Sequence, residues 1–204
     1  PPPPAVALMM TGKPIVSTNF NASSISWIVP GVPAARSVPA LDGRRLVDLG
    51  APGPPWARVL TWLAGRPFAD VIDPSDVLLA DLGATMGRCA AALDDLDHPA
   101  AIRDLQWDVV RAPGVIRARL GDVTDKDHRA LLERALAGLE TRLVPALPTL
   151  RRGVIHNDAN DHNVLVDDAE TRIVGLLDFG DLVETVTVHE AAVAATYAMF
   201  HRSD

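Results

Sequence analysis

A chain that sets His156, Asn157, Asp158, Asn160, Asp161, His162 and Asn163 between the apolar runs "GVI" and "NVLV" has little freedom in how it folds. The apolar runs must be buried, and they carry the polar residues with them. A carboxylate at the edge of a packed framework is costly unless it is paired, hydrogen-bonded or set against a cation. This stretch therefore reads as a site rather than a surface turn. After "NVLV" comes a turn at "DDAETR", and "IVGLLDFGD" returns as a second apolar strand ending in Asp178 and Asp181. The expected local structure is a strand hairpin flanked by acids.

The rest of the chain is of two textures. Residues 1 to about 58 are rich in proline and glycine, which favours short strands and turns over long helices. Within them "ALDGRRLVDL" predicts a hairpin at Asp42-Gly43. "WARVLTWLAG" reads as a buried strand ending in a glycine turn. Leu78, Leu82, Met86, Cys89 and Leu93 then recur at helical spacing, predicting a helix from about Asp73 to Leu93 with Asp73 and Ser75 as candidate caps. A second helix is expected from near Thr124 to Pro145, with Leu132, Leu136, Leu139 and Leu143 on one stripe. Leu82 and Leu136 are expected in the core, and the hairpin is expected to pack on both helices. "TVTVHEAAVAATYAMF" reads as a closing helix. The class is α+β, with helices predominating in the later part.

Composition removes whole classes of function. With 204 residues, 48% of them hydrophobic, the chain can bury a sizeable core. Its net charge of -7 and lack of a basic stripe argue against nucleic-acid binding. The opening "PPPPAVALMM" has no basic leader, and its apolar run is too short to span a bilayer, so no membrane partner is expected. The single cysteine, Cys89, cannot form an internal disulfide, which suits a reducing, cytoplasmic setting.

The constellation can be written His156-x-Asp158-x-x-x-x-Asn163, followed by Asp178-Phe179-Gly180-Asp181. Phosphoryl transfer needs a carboxylate against the attacking hydroxyl, oxygen ligands for a hard cation bridging the phosphates, and a frame that aligns them. Asp158 can supply the first, and Asn163 and Asp178 the second, with Mg²⁺ as the matching ion. A metal-dependent hydrolase using His156, Asp158, His162 and Asp178 is a competing reading. Trp107 and Asp108 in "LQWD" are either substrate contacts or, preferably, an anchor.

At these residues the chain resembles the aminoglycoside phosphotransferase and choline kinase superfamily, relatives of the protein kinases. "VIHNDANDHNVLV", "GLLDFGD" and the upstream "LQWDVVRAPGVI" are most similar to its hydroxylysine kinase-like branch. The resemblance implies a protein-kinase-like fold, with a reduced strand-rich N-terminal lobe and hinge over residues 1–63 and a mostly helical, truncated C-terminal lobe over 64–204. It implies Asp158 as catalytic base, Asn163 and Asp178 as Mg²⁺ ligands, and His156 and Asp181 as braces of the loop. It also implies that Leu60, Thr61, Trp62 and Leu63 meet the purine of ATP or GTP. The acceptor would be the hydroxyl of a small amine-bearing metabolite.

The sequence departs from that pattern in its first part. It has no Gly-x-Gly-x-x-Gly, only two lysines (Lys13 and Lys126), and no glutamate before Glu133. Lys13 is the sole candidate for a phosphate contact. The acceptor-binding helices after Asp181 are expected to be incomplete as well. A partial chain with little turnover by itself is one expectation, and an inactive kinase-like binding module is the alternative.

Overall fold

Leu78, Leu82, Met86, Cys89 and Leu93 are all buried, and they bring one face of the first helix to the centre of the core. The computed structural model describes residues 6–11, 31–48, 50 and 56–200. Helix α1 runs Asp76–Leu93, with the Ser75 hydroxyl accepting from the Leu78 N–H at 3.3 Å. Asp73 is not the cap; it takes a left-handed turn conformation two residues earlier (φ 52°). Burial pushes the Cys89 thiol well above its ordinary pKa, as an inert core residue requires.

The first sheet is built on strand β4 (Trp56–Thr61). Strand β1 (Val6–Thr11) pairs antiparallel along one side of it. Strands β2 (Ser37–Val38) and β3 (Val47–Asp48) both pair antiparallel with β4, β2 opposite Leu60 and Val59 and β3 opposite Ala57 and Trp56. This corrects the expected hairpin. The turn does form at Asp42-Gly43, with the Gly43 N–H donating to Ala40 O at 2.9 Å and Gly43 at φ 84°. Its two-residue flanks, however, are too short to sustain a ladder of their own, and they use the long edge of β4 instead. Lys13 lies outside the described residues.

The site elements form the second half. Strand β5 (Arg66–Pro67) pairs with β7 (Val164–Val166), and β7 pairs with β8 (Ile173–Leu176). All three residues of β7 are buried, so the hairpin read from the sequence is a core element. Gly65, at φ 150°, marks the entry to β5: a Cβ there would stand 2.7 Å from Val174 Cγ2 and 2.9 Å from Val166 O. Strand β6 (Arg152–Ile155) leads into the polar loop and pairs with β9 (Val183–Val186). Val183, Thr185 and Val186, all buried with only Glu184 exposed, form a strand where a helix start was expected. Helix α5 follows at Val188–Phe200.

Helices α2 (Ala112–Arg119), α3 (Lys126–Gly138) and the short α4 (Val144–Ala146) lie between these strands in sequence. A wide π-helical turn over Leu139–Leu143 joins α3 to α4. Helix α3 has no fully buried residue and packs on α2, whereas the hairpin packs on α1, so two expectations are corrected. Leu136 is half-buried rather than core, and α3 does not support the site strands. The reason is polarity: α3 carries Lys126, Asp127, His128, Arg129, Glu133 and Arg134, which leaves too narrow an apolar stripe to be enclosed on every side. Helix α1 instead holds the hairpin directly, with Asp81 Oδ2 accepting from the Ile173 N–H at 2.7 Å. Pro33 and Ala34 also join that side, since Pro33 O accepts from the Leu176 N–H at 2.7 Å and Ala34 bridges Leu176. No described helix is long and apolar enough to cross a membrane.

Two substitutions separate the buried from the half-buried stripe. Leu82→Ala should destabilise the protein by about 2–5 kcal/mol. Leu136→Ala, with part of its surface already in water, should cost roughly 1 kcal/mol. Equilibrium urea unfolding of both variants checks this, and equal losses would contradict the assignment of the core to α1.

Candidate active site

The polar loop begins where β6 ends, and its first residue is the most enclosed. His156 is fully buried. Its Nε2 lies 2.8 Å from Leu177 O and its Nδ1 accepts from the Asp158 N–H at 3.2 Å, which fixes the neutral tautomer with the proton on Nε2. Burial lowers its pKa to about 4, against the opposing effect of Leu177 O and Asp178. The Phe179 ring meets it edge to face at 4.6 Å. One imidazole thus ties the polar loop to the chain leaving β8.

Asp158 is held by two carboxamides. Asn160 Nδ2 donates to Asp158 Oδ1 at 2.8 Å, and Asn163 Nδ2 donates to Asp158 Oδ2 at 2.8 Å and to its carbonyl at 2.9 Å. Asn160 Oδ1 in turn accepts from the N–H groups of His162 and Asn163 at 2.9 and 3.1 Å. Partial burial raises the Asp158 pKa, the two amides oppose that, and nearby Asp181 and Asp178 add to it. Asp158, Asp178 and Asp181 therefore share one electrostatic neighbourhood.

Asp178 comes beside Asn163 through the hairpin, since the Leu177 N–H donates to Asn163 O at 2.8 Å. Its backbone is left-handed (φ 51°, ψ 74°), and its Oδ1 accepts from the Gly180 N–H at 3.0 Å. A Cβ on Gly180 would stand 2.8 Å from that same oxygen, so a larger residue there would have to displace the Asp178 carboxylate. Asp181 pairs with Arg103 at 3.1 Å. Asn163 uses its nitrogen on Asp158, so its Oδ1 is the atom left for a cation. That oxygen and the exposed Asp178 carboxylate are hard donors suited to a small divalent ion completed by phosphate oxygens.

The hydrolase reading does not survive this geometry. Both nitrogens of His156 are engaged with the protein, His162 is exposed, and no group of three His, Cys, Asp or Glu able to hold a metal occurs among the described residues. At the expected hinge, Leu60 and Thr61 belong to β4. The Thr61 N–H donates to Arg36 O at 2.8 Å and its hydroxyl accepts from the Arg36 N–H at 2.9 Å. Trp62 and Leu63 follow outside the strand, Trp62 exposed and Leu63 half-buried. Lys126 opens α3 and is exposed.

Two features were not legible beforehand. Glu190, in the first turn of α5, is 2% exposed, and its Oε2 accepts from the His156 N–H at 2.6 Å and also bonds the Asn157 N–H. A helical acid inside an alanine-rich run was the only signal. Asn160 falls outside the His-x-Asp-x-x-x-x-Asn spacing, which gives it no role. In "LQWD", Asp108 is the anchor: it is buried, caps the turn at Val110 and accepts from the Thr185 hydroxyl at 2.7 Å. Trp107 instead lines a cleft of about 390 Å³ together with Asn157, Asp158, Asp181, His189 and Tyr197.

Loop, strand order and cleft define a protein-kinase-like fold, and solved structures share it. An amicoumacin kinase, in complex with AMP-PNP, Ca²⁺ and amicoumacin, superposes with a TM-score of 0.64 at 19% identity over 97% of this chain and 59% of that one. A microcompartment-associated aminopropanol kinase gives 0.60 at 21% identity over 93% of this chain and 61% of that one. The chain belongs to the Phosphotransferase enzyme family (APH), whose model matches residues 30–204. Within it, hydroxylysine kinase from Mus musculus is 27% identical over 72% of this chain and 42% of its own length. The Danio rerio hydroxylysine kinase is 29% identical over 83% of this chain and 50% of its own length. The chain thus spans about half the length of the curated relatives it matches.

Glu190 offers a pH test of the loop support. Burial raises its carboxyl from the ordinary 4.5 to about 7, although the His156 and Asn157 N–H groups pull the other way. The folded state thus holds this proton more tightly than the unfolded state does. Its contribution is fully present below pH 4.5 and is lost as the pH rises to about 7. Glu190→Gln abolishes this titration, so its stability relative to the parent should climb as the pH rises through that window. Urea unfolding at several pH values checks it, and a constant difference would contradict a raised pKa.

Proposed function

We propose that the protein is a small-molecule kinase that moves the γ-phosphoryl group of ATP or GTP to a hydroxyl of a small amine-bearing acceptor. The observation that carries this reading is the Asp158 carboxylate, held by Asn160 and Asn163, opening on a cleft and standing next to Asp178. In this role Asp158 orients the acceptor hydroxyl and takes its proton as the oxygen bonds to phosphorus. Partial burial raises its pKa above that of a free carboxylate, which makes it a stronger proton acceptor. Asn163 Oδ1 and Asp178 would hold Mg²⁺, which when bound neutralises charge on the β- and γ-phosphates. His156, Asp181 and Glu190 keep the loop in register, and residues from Leu60 to Leu63 border the nucleotide, with Trp62 and Leu63 just beyond the end of β4. The division into a nucleotide lobe before residue 64 and a catalytic lobe after it belongs to the same proposal. A soluble, cytoplasmic enzyme is the matching setting.

The reading is tested on the full-length protein by coupled nucleotide turnover with amino alcohols, hydroxylysine and aminoglycosides. Asp158→Asn keeps the side-chain shape but cannot take a proton, and should lower kcat by at least a hundredfold at unchanged Tm. Asp178→Ala should also weaken Mg-nucleotide binding, measured by calorimetry. Turnover unchanged in Asp158→Asn would refute the base. Nucleotide binding with no turnover for any acceptor would favour an inactive binding module instead.

A further inference from the structure

Asn157 is a buried residue of the loop whose side-chain polar atoms take no part in the hydrogen bonding of the described residues. It is 2% exposed, yet neither Nδ2 nor Oδ1 has a hydrogen-bond partner among the described residues. Leaving a buried carboxamide unsatisfied is costly, and native structures rarely tolerate it without a reason. Its backbone is also left-handed, at φ 68°, which asparagine accepts better than most residues. Glu190 takes the His156 and Asn157 N–H groups, so the backbone is anchored from behind. Asn157 is also among the residues that line the cleft with Asp158.

One residue before Glu190, the first turn of α5 presents a second such group. His189 is 9% exposed, its Nδ1 has no partner among the described residues, and it too lines the cleft. Burial lowers its pKa, with Asp108 opposing, which favours the neutral ring, a form able to accept a hydrogen bond. The charges of the lining point the same way. It contains Asp158 and Asp181 but no lysine or arginine, and Trp107 and Tyr197 supply aromatic surface. Arg103 neutralises part of Asp181 from outside the lining. An occupant that satisfies these groups carries N–H donors and a positive charge.

We propose that Asn157 and His189 are the specificity-determining residues of the acceptor site, reading an ammonium group on the acceptor through Asn157 Oδ1 and His189 Nδ1. The inference rests on the phosphotransferase reading above. It assigns these two side chains to substrate discrimination and leaves the chemistry to Asp158. A site built to hydrogen-bond a substrate group rejects the analogue lacking it, because its own buried polar atoms are then left unpaired.

The test uses the full-length protein with Mg·ATP and three probes: 5-hydroxylysine, 1-amino-2-propanol, and 2-butanol, in which a methyl group replaces the amine of the second. Asn157→Gly removes the carboxamide and keeps the left-handed backbone; His189→Phe keeps the ring volume and removes the nitrogen. Each should raise KM for the amine-bearing acceptor by about tenfold or more and shrink the preference over 2-butanol, with KM for Mg·ATP unchanged. Calorimetry of acceptor binding in an Asp158→Asn background should show the same loss of affinity. Unchanged acceptor KM, affinity and preference in both variants, while Asp158→Asn abolishes turnover, would overturn the inference and leave the phosphotransferase reading standing. A fall in kcat at constant acceptor KM would also overturn it, as the mark of a positioning role. Neither turnover nor acceptor binding by the parent protein would overturn both.

Discussion

The structure depends on one arrangement: a buried neutral imidazole and a buried carboxylate that together fix the backbone of the polar loop. His156 spans from Leu177 O to the Asp158 N–H, and Glu190 takes the N–H groups at the start of the loop from the other side. Backbone groups leaving β6 would otherwise be buried without partners. The loop is therefore specified by three elements, β6, β8 and α5, that are distant in sequence. Its geometry can persist with Asn157 and Asp178 in the left-handed region because the surroundings over-determine it.

From that support follows the placement of charge. Three carboxylates, Asp158, Asp178 and Asp181, stand close enough to raise the pKa of the first. Such a cluster is unfavourable unless each acid has compensation. Asn160 and Asn163 serve Asp158, the Gly180 N–H serves Asp178, and Arg103 serves Asp181. What remains uncompensated is the outward capacity of Asp178 and of Asn163 Oδ1, on the side where a cation and phosphates fit the proposed reaction. Arg58 on β4 adds a partly buried positive charge that is felt at Asp178.

Much of this was legible in the sequence, for physical reasons that differ by element. Helix α1 was readable because five apolar residues repeat at helical spacing and all five are buried. The β7–β8 hairpin was readable because both strands are short apolar runs around a polar turn. Helix α3 shows the same kind of stripe and is only half-buried, since a stripe does not say how much of it a neighbour covers. Strand β9 was missed because its partner, β6, lies some thirty residues upstream and only tertiary pairing distinguishes it from a helix start. The same limit hid Glu190, whose importance comes from what α5 packs against rather than from any local pattern. Family membership and the kinase-like fold agree with the motif spacing, which carries long-range information that periodicity lacks.

The central claim is that Asn163, Asp178 and Asp158 form one phosphoryl-transfer centre. A crystal structure of the full-length protein with Mg²⁺ and AMP-PNP tests it most directly. The account predicts the cation on Asn163 Oδ1 and the Asp178 carboxylate, with the γ-phosphate facing Asp158 across the mouth of the cleft that Trp107 and Tyr197 line. Nucleotide bound with its cation away from Asn163 and Asp178, or with Asp158 turned from the γ-phosphate, would contradict it.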